Sequence, residues 1–168
     1  MMYKCVHPSP IGALTLASDG INLTGLWIEG QKYHGNDIVK NMTEKESLPI
    51  FAQGKNWLAR YFNGENPAMA ELPLKPHGSA YRQMVWAMLQ AIPYGESSTY
   101  GALAQNLTAE SGRKTAARAV GGAVAHNPIS IIIPCNRVLG ADGSLVGFAG
   151  GVDVKRWLLG HEKGDGSA

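Results

Sequence analysis

Cys135 is the residue best placed by its context to do covalent chemistry. It follows an apolar run, Ile129, Ile131, Ile132 and Ile133, set between Pro128 and Pro134, and it precedes Asn136, Arg137 and Val138. Proline removes a backbone donor and fixes the local path, so this thiol sits on a rigid element beside polar residues. A thiol is a strong nucleophile only when deprotonated, and its unperturbed pKa is about 8.5. A neighbouring base or positive field is therefore needed. An inert buried cysteine would fit the same apolar context, and residue types alone leave both readings open. Arg137 reads as a scaffold residue, solvated or salt-bridged. Arg118 lies within Ala116-Ala117-Arg118-Ala119-Val120-Gly121-Gly122-Ala123. A helix with so smooth a surface can approach a neighbour closely, whether protein or a DNA groove.

The elements that must position these residues are legible in outline. Strands are expected at Tyr3 to His7, Ala13 to Ser18 and Ile21 to Ile28, with turns at Ser9-Pro10-Ile11-Gly12 and Asp19-Gly20. Residues 29–49 read as an irregular, mobile loop. Ile50, Phe51, Trp57, Leu58, Tyr61 and Phe62 recur at helical spacing. Residues 63–76 carry three prolines and read as a linker, which divides the chain into domains 1–76 and 77–168. A helix then starts at Gly78-Ser79, buries Tyr81, Val85, Met88, Leu89 and Ile92, and stops at Pro93-Tyr94-Gly95. Ser98 or Thr99 caps a short helix from Tyr100 to Asn106. A polar connection from Thr108 to Lys114 leads to a second helix, Thr115 to Ala125, ended by Asn127-Pro128. Two short helices around a connection have the form of a helix-turn-helix. The run 129–133 reads as a buried strand. After it come the Gly-rich loop Gly140 to Gly151, a last helix capped by Asp153 and anchored by Trp157 and Leu158, and a frayed tail from Gly164. Strands first and helices later make the chain α+β.

Composition narrows the function. The 168 residues are 45% apolar, enough for a real core, and carry a net charge of +2. Residues 1–76 hold 7 basic and 7 acidic side chains, and residues 77–168 hold 8 and 6. Nucleic-acid affinity would thus need a local patch, for which Arg113, Lys114 and Arg118 are the candidates. Two cysteines, no signal-peptide pattern and no membrane-length apolar run fit a reducing, cytoplasmic setting with unbridged thiols. Cys5, His7, His34 and His77 lack the paired spacing of a zinc site, and no metal is expected.

The run IPCNRVLGADGSLVGFAGGVDVKRWLLGHE resembles the active-site signature of the O6-alkylguanine-DNA alkyltransferases, which reads PCHR, a Gly-rich loop, K-x-x-L-L and a Glu. YRQMVWAMLQAIPYGESSTYGALA and AARAVGGAVAHNPISIIIP are similar to the same family, so the match covers residues 79–162. The S-P-I-G hairpin and the W-L-x-x-Y-F helix extend it more loosely to the N-terminal half. The resemblance implies a ribonuclease H-like first domain with a three-stranded antiparallel sheet, and a winged-helix-like second domain whose recognition helix enters the minor groove. It implies single-turnover transfer of an alkyl group from guanine O6 to Cys135 after the base is flipped out, with no cofactor. The partner would be double-stranded DNA carrying O6-alkylguanine, bound by a monomer. The resemblance leaves open O4-alkylthymine as a further substrate of the same chemistry, and the sequence does not rank the two. By motif position, Arg118 would replace the flipped base, Tyr100 would push the 3′ phosphate and donate to the base, and Asn127 would fix the hinge. Val138, Phe148 and Ala149-Gly150-Gly151 would line the pocket, Ala117, Gly121 and Gly122 would share the DNA face with Arg113 and Lys114, and Glu162 would close the hydrogen-bond chain behind the cysteine.

Two positions depart from that pattern. Phe148 stands where many members carry Tyr; it keeps an aromatic wall and loses a hydroxyl. Asn136 stands where the motif carries His. A carboxamide can bridge a water near Cys135 to Glu162 but does not titrate. The expectation is a slow but genuine alkyltransferase whose thiol has a higher pKa than a His-bearing version. The alternative is a lesion-binding relative that recruits other repair factors and transfers little, although such proteins replace the cysteine. A transcription-activating regulator would need a cysteine cluster that two cysteines cannot supply.

Overall fold

A computed structural model describes residues 1–31, 39–145 and 148–164. His34, part of the loop 29–49, Val146 and Gly147 of the Gly-rich loop, and the tail beyond Gly164 lie outside the described residues. The chain divides into two units. The first is Met1–His77 with Pro128–Ile132, and the second is Gly78–Asn127 with Ile133–Ala168.

In the first unit, β1 (Tyr3–His7), β2 (Leu14–Ser18) and β3 (Leu23–Ile28) form an antiparallel meander. Asp19 holds the second turn by accepting from the Ile21 and Asn22 amides. A two-residue strand, β4 (Thr43–Glu44), adds parallel to β1, so the order is β3-β2-β1-β4 and the loop expected at 29–49 is in part sheet. Helix α1 (Pro49–Phe62) buries Ile50, Phe51, Trp57, Leu58 and Tyr61. It comes close to β2 at Gly54, where a Cβ would sit 3.0 Å from Leu16. The stretch 63–76 is no loose linker. Leu72 is buried, Trp57 donates to the Ala68 carbonyl (2.9 Å), and the Leu23 backbone bonds Pro73 and Lys75. Segment 128–132 also returns to this unit, with Leu26 bridging Ile129. It is buried as expected but is no strand. Ile131 has φ +72, a left-handed turn costly for a β-branched residue.

The second unit is mostly helical. In α2 (Ala80–Gln90), capped by Ser79, Trp86 donates its indole N–H to the Ala123 carbonyl (2.8 Å) and ties the helix to α4 (Ala117–Ala125). Helix α3 runs Tyr100–Ser111, five residues beyond the expected end, because Leu107 joins Leu103 and Ala104 on the buried face. Gly112 at φ +72 ends it, and Thr99, not Ser98, is the cap. The connection to α4 is therefore a short turn, braced by a Tyr81–Thr115 hydroxyl bond (2.8 Å). Ser98–Thr99 forms β5, parallel to β6 (Val138–Leu139). The last helix, α5, spans Val152–Lys163 and is entered from Gly151. Asp153 is not its cap; it lies in the first turn, exposed, and pairs with Arg156.

Candidate active site

Cys135 opens a single 3-10 turn, Cys135–Arg137, that is buried throughout. Its amide donates to the Ile133 carbonyl (2.8 Å). The Asn127 side chain, itself buried, donates to the same oxygen (2.8 Å), and the Arg137 amide donates to the Pro134 carbonyl (3.0 Å). The backbone that carries the thiol is thus held from both sides. Neither cysteine is in a disulfide.

The strand pair brings the second functional side chain. Ser98 and Thr99 register with Val138 and Leu139, and α3 begins at the next residue, Tyr100. The half-buried Tyr100 phenol is pushed up to about 12, first by burial and then by the charge of Cys135. It stays a hydrogen-bond donor at any physiological pH.

Helix α5 supplies the rest. Glu162, 6% exposed, accepts from Arg137 Nε (2.7 Å) and the Gly95 amide (3.2 Å) on Oε1, and from Asn136 Nδ2 (3.1 Å) on Oε2. Arg137 also donates to the Ile92 carbonyl (2.6 Å) and stacks over Tyr94. It is therefore salt-bridged and buried, not solvated. Gly95 is glycine for two reasons: φ is +79, and a Cβ would stand 3.3 Å from the Glu162 carbonyl. Asn136 is fully buried, and its Oδ1 has no hydrogen-bond donor among the described residues. Such an acceptor is costly to leave unmet.

The burial of one charged side chain escaped sequence reasoning. Lys155 is fully buried, with Nζ 5.8 Å from the Tyr100 ring centre. Burial pushes its amine down to about 8, against the opposing pull of Cys135. Lys155, Leu158 and Glu162 are spaced three and four apart and are all buried, so they share one helix face. Two ionisable residues on the stripe of an apolar anchor were the available signal.

The structure brings Cys135, Asn136, Glu162, Arg137, Tyr100 and Lys155 into one cluster. Val138 is buried. Phe148, Ala149 and Gly150 are half-buried just before α5. Ala117, Arg118 and Gly122 are exposed on α4, and Arg113 and Lys114 are exposed in the turn before it. Gly121 faces the Tyr100 ring, which a Cβ there would meet at 3.8 Å. Among the described residues, no three His, Cys, Asp or Glu side chains gather as metal ligands.

A sheet-and-helix unit joined to a helix-turn-helix unit, with a buried cysteine cluster in the second, defines a two-domain α+β protein of DNA-binding type. Family models described as the ribonuclease-like domain and the DNA-binding domain of 6-O-methylguanine DNA methyltransferase match residues 2–76 and 80–164. The chain is 45% identical to a methylated-DNA–protein-cysteine methyltransferase of Haemophilus influenzae over 96% of its own length and 87% of that protein's. It is 40% identical to one from Methanosarcina acetivorans, covering 94% and 96%. The crystal structure of Mycobacterium tuberculosis OGT in complex with DNA superposes with a TM-score of 0.85 at 40% identity, covering 96% of this chain and 93% of that one. The chain belongs to the 6-O-methylguanine DNA methyltransferase family.

Proposed function

We propose that this protein repairs DNA by moving an alkyl group from O6 of guanine to Sγ of Cys135, once per molecule and without a cofactor. The C–S bond forms as the C–O6 bond breaks, and the electron pair of that bond leaves with guanine. The observation that carries this reading is a reduced Cys135 fixed on a rigid turn beside a protonated Tyr100, in the unit that bears the helix-turn-helix. The functions named for the relatives agree with it.

A thiol cannot reach O6 inside stacked DNA, so the damaged base must be extruded, at a cost of a few kcal/mol. In this reading α4 lies in the minor groove, where its small residues Ala117, Gly121 and Gly122 allow close approach. Arg118 fills the gap left by the base, and Arg113 and Lys114 meet phosphates. Tyr100 positions the 3′ phosphate and donates to the base, Asn127 keeps the turn in place, and Val138, Phe148, Ala149 and Gly150 wall the pocket. Asn136 and Glu162 serve as a bridge behind the thiol.

Intact mass spectrometry after mixing with an O6-methylguanine duplex tests the reading. The protein gains one methylene on a Cys135 peptide, stops after one turnover, and is inert as Cys135→Ala. Modification of Cys5 instead would overturn it. Tight binding with no mass gain would mark a lesion-binding protein.

A further inference from the structure

β3 is the edge strand of its sheet, and an edge presents backbone groups that need partners. Leu26 finds them far along the sequence. Its amide donates to the Pro128 carbonyl (2.8 Å), and its carbonyl accepts from the Ser130 amide (3.0 Å). The Ile28 amide donates to Gln31 Oε1 (2.9 Å), and the same oxygen accepts from Ser130 Oγ (3.3 Å). Gln31 and Ser130 are both buried. The Ser130 carbonyl accepts from the Ile132 amide (2.8 Å). With Ile131 at φ +72, this is a γ-turn of the rare, strained kind. A second γ-turn follows, of the relaxed inverse kind. Pro134 has φ -82 and ψ 67, and the Cys135 amide donates to the Ile133 carbonyl (2.8 Å). Two γ-turns in succession therefore set the direction in which the chain reaches Cys135.

Proline favours the second turn by itself, because its ring fixes φ. The first turn has no such help. Ile131 is β-branched, buried, and held at a φ that such residues avoid. A backbone of that kind persists only where its surroundings over-determine it. Ser130 supplies the constraint, since its amide, its hydroxyl and its carbonyl are all engaged. We propose that Ser130, held by Gln31, is a positioning residue for Cys135: it keeps the Ile131 turn closed and so aims the thiol at the alkyl carbon. This rests on Cys135 being the alkyl acceptor. The chain enters the first unit at Pro128 and leaves it after Ile132, three residues before Cys135. The anchor of the reactive turn therefore belongs to β3. A bound substrate offers its alkyl carbon from one direction only, so a displacement of about 1 Å can cost a hundredfold in rate.

Ser130→Ala tests it, since the change removes the hydroxyl and leaves Gln31 Oε1 bonded to the Ile28 amide. The first measurement is amide hydrogen exchange, followed residue by residue by NMR. The Ile132 amide, which closes the strained turn, exchanges about tenfold or more faster in the variant, while β1, β2 and α5 keep their protection. Unchanged exchange at Ile132 overturns the proposal. So does a rise spread over the whole chain, which would make Ser130 a residue of the fold alone. This arm uses no substrate, so its result is separate from any failure of the alkyl-transfer reading, which would show as a parent protein that does not react. The second measurement is single-turnover rate against O6-benzylguanine concentration and pH. In Ser130→Ala the maximal rate falls about tenfold or more, with the half-saturating concentration and the pH midpoint unchanged, because only the aim of the thiol is lost. Gln31→Met lowers the rate in the same way, and the double variant is no slower than Gln31→Met alone, because both changes cut one anchor. Additive losses, or a loss confined to the half-saturating concentration, overturn the proposal.

Discussion

Asn136 donates through Nδ2 to Glu162, and its Oδ1 has no donor among the described residues. The bridging geometry of the position is therefore kept while its basicity is gone. A histidine here could donate to Glu162 through one nitrogen and take a proton from the thiol side with the other. Asn136→His should raise the single-turnover rate near neutrality by about tenfold or more, with the rate levelling off at lower pH than in the parent. Identical rates and pH midpoints would mean that this position does not set the reactivity of the thiol. At this scale Cys135, Asn136 and Glu162 were legible, because the motif around them is contiguous or lies at a fixed distance along one helix. Lys155 stands in the K-x-x-L-L part of the same motif, but its burial was not legible, because a lysine is almost never fully buried. The burial of Arg137 was hidden for the same reason.

The helical elements divide into an inner and an outer side. On α4, Val120, Ala123 and Val124 are buried, while Ala117, Arg118 and Gly122 face out. Such a face suits a groove, and Arg118 is its one long side chain. Arg118→Ala should weaken repair of a duplex far more than reaction with free O6-benzylguanine, which needs no flipping. Parallel rate measurements on the two substrates decide this; equal loss on both would assign Arg118 to the fold. The helices of the second unit were read correctly in kind and misread at their edges. The helix expected to end at Asn106 reaches Ser111, because Leu107 continues the buried stripe and only Gly112 supplies the left-handed stop. The polar residues Thr108, Glu110 and Ser111 had the look of a connection, yet they are the outer face of the last turn.

For the whole molecule, buried ionisable groups set how stability follows pH. Lys155 titrates near 8 in the folded chain and near 10.4 when unfolded. Below pH 8 both states hold the proton, and the fold bears the full burial penalty, up to roughly 3 kcal/mol. Between about 8 and 10.4 the unfolded state binds more protons, so this penalty is relieved as pH rises. Cys5, pushed up to about 11 by burial, acts oppositely: its contribution is full at neutral pH and is lost as pH climbs from about 8.5 toward 11. The difference between parent and Lys155→Met isolates the lysine. Denaturant titrations should find the Met variant the more stable below pH 8, with the gap closing toward pH 10.4. A gap that does not change with pH would mean that Lys155 carries no burial penalty.

The sequence by itself determined the α+β class, the turns, the faces of the helices and the cysteine with its motif. These are properties of spacing along a chain: period, punctuation by Gly and Pro, and residues near one another in sequence. Only the tertiary structure decided the rest. It added β4 to the sheet, returned 128–132 to the first unit and turned a supposed linker into packed chain, each through backbone bonds between distant residues. It also joined β5 to β6, which sets Tyr100 near Cys135, and it closed α5 over the active-site turn so that Lys155 and Glu162 became buried. Burial is what gives a charged side chain its chemistry. It depends on what packs around the residue, and spacing along the chain does not encode that.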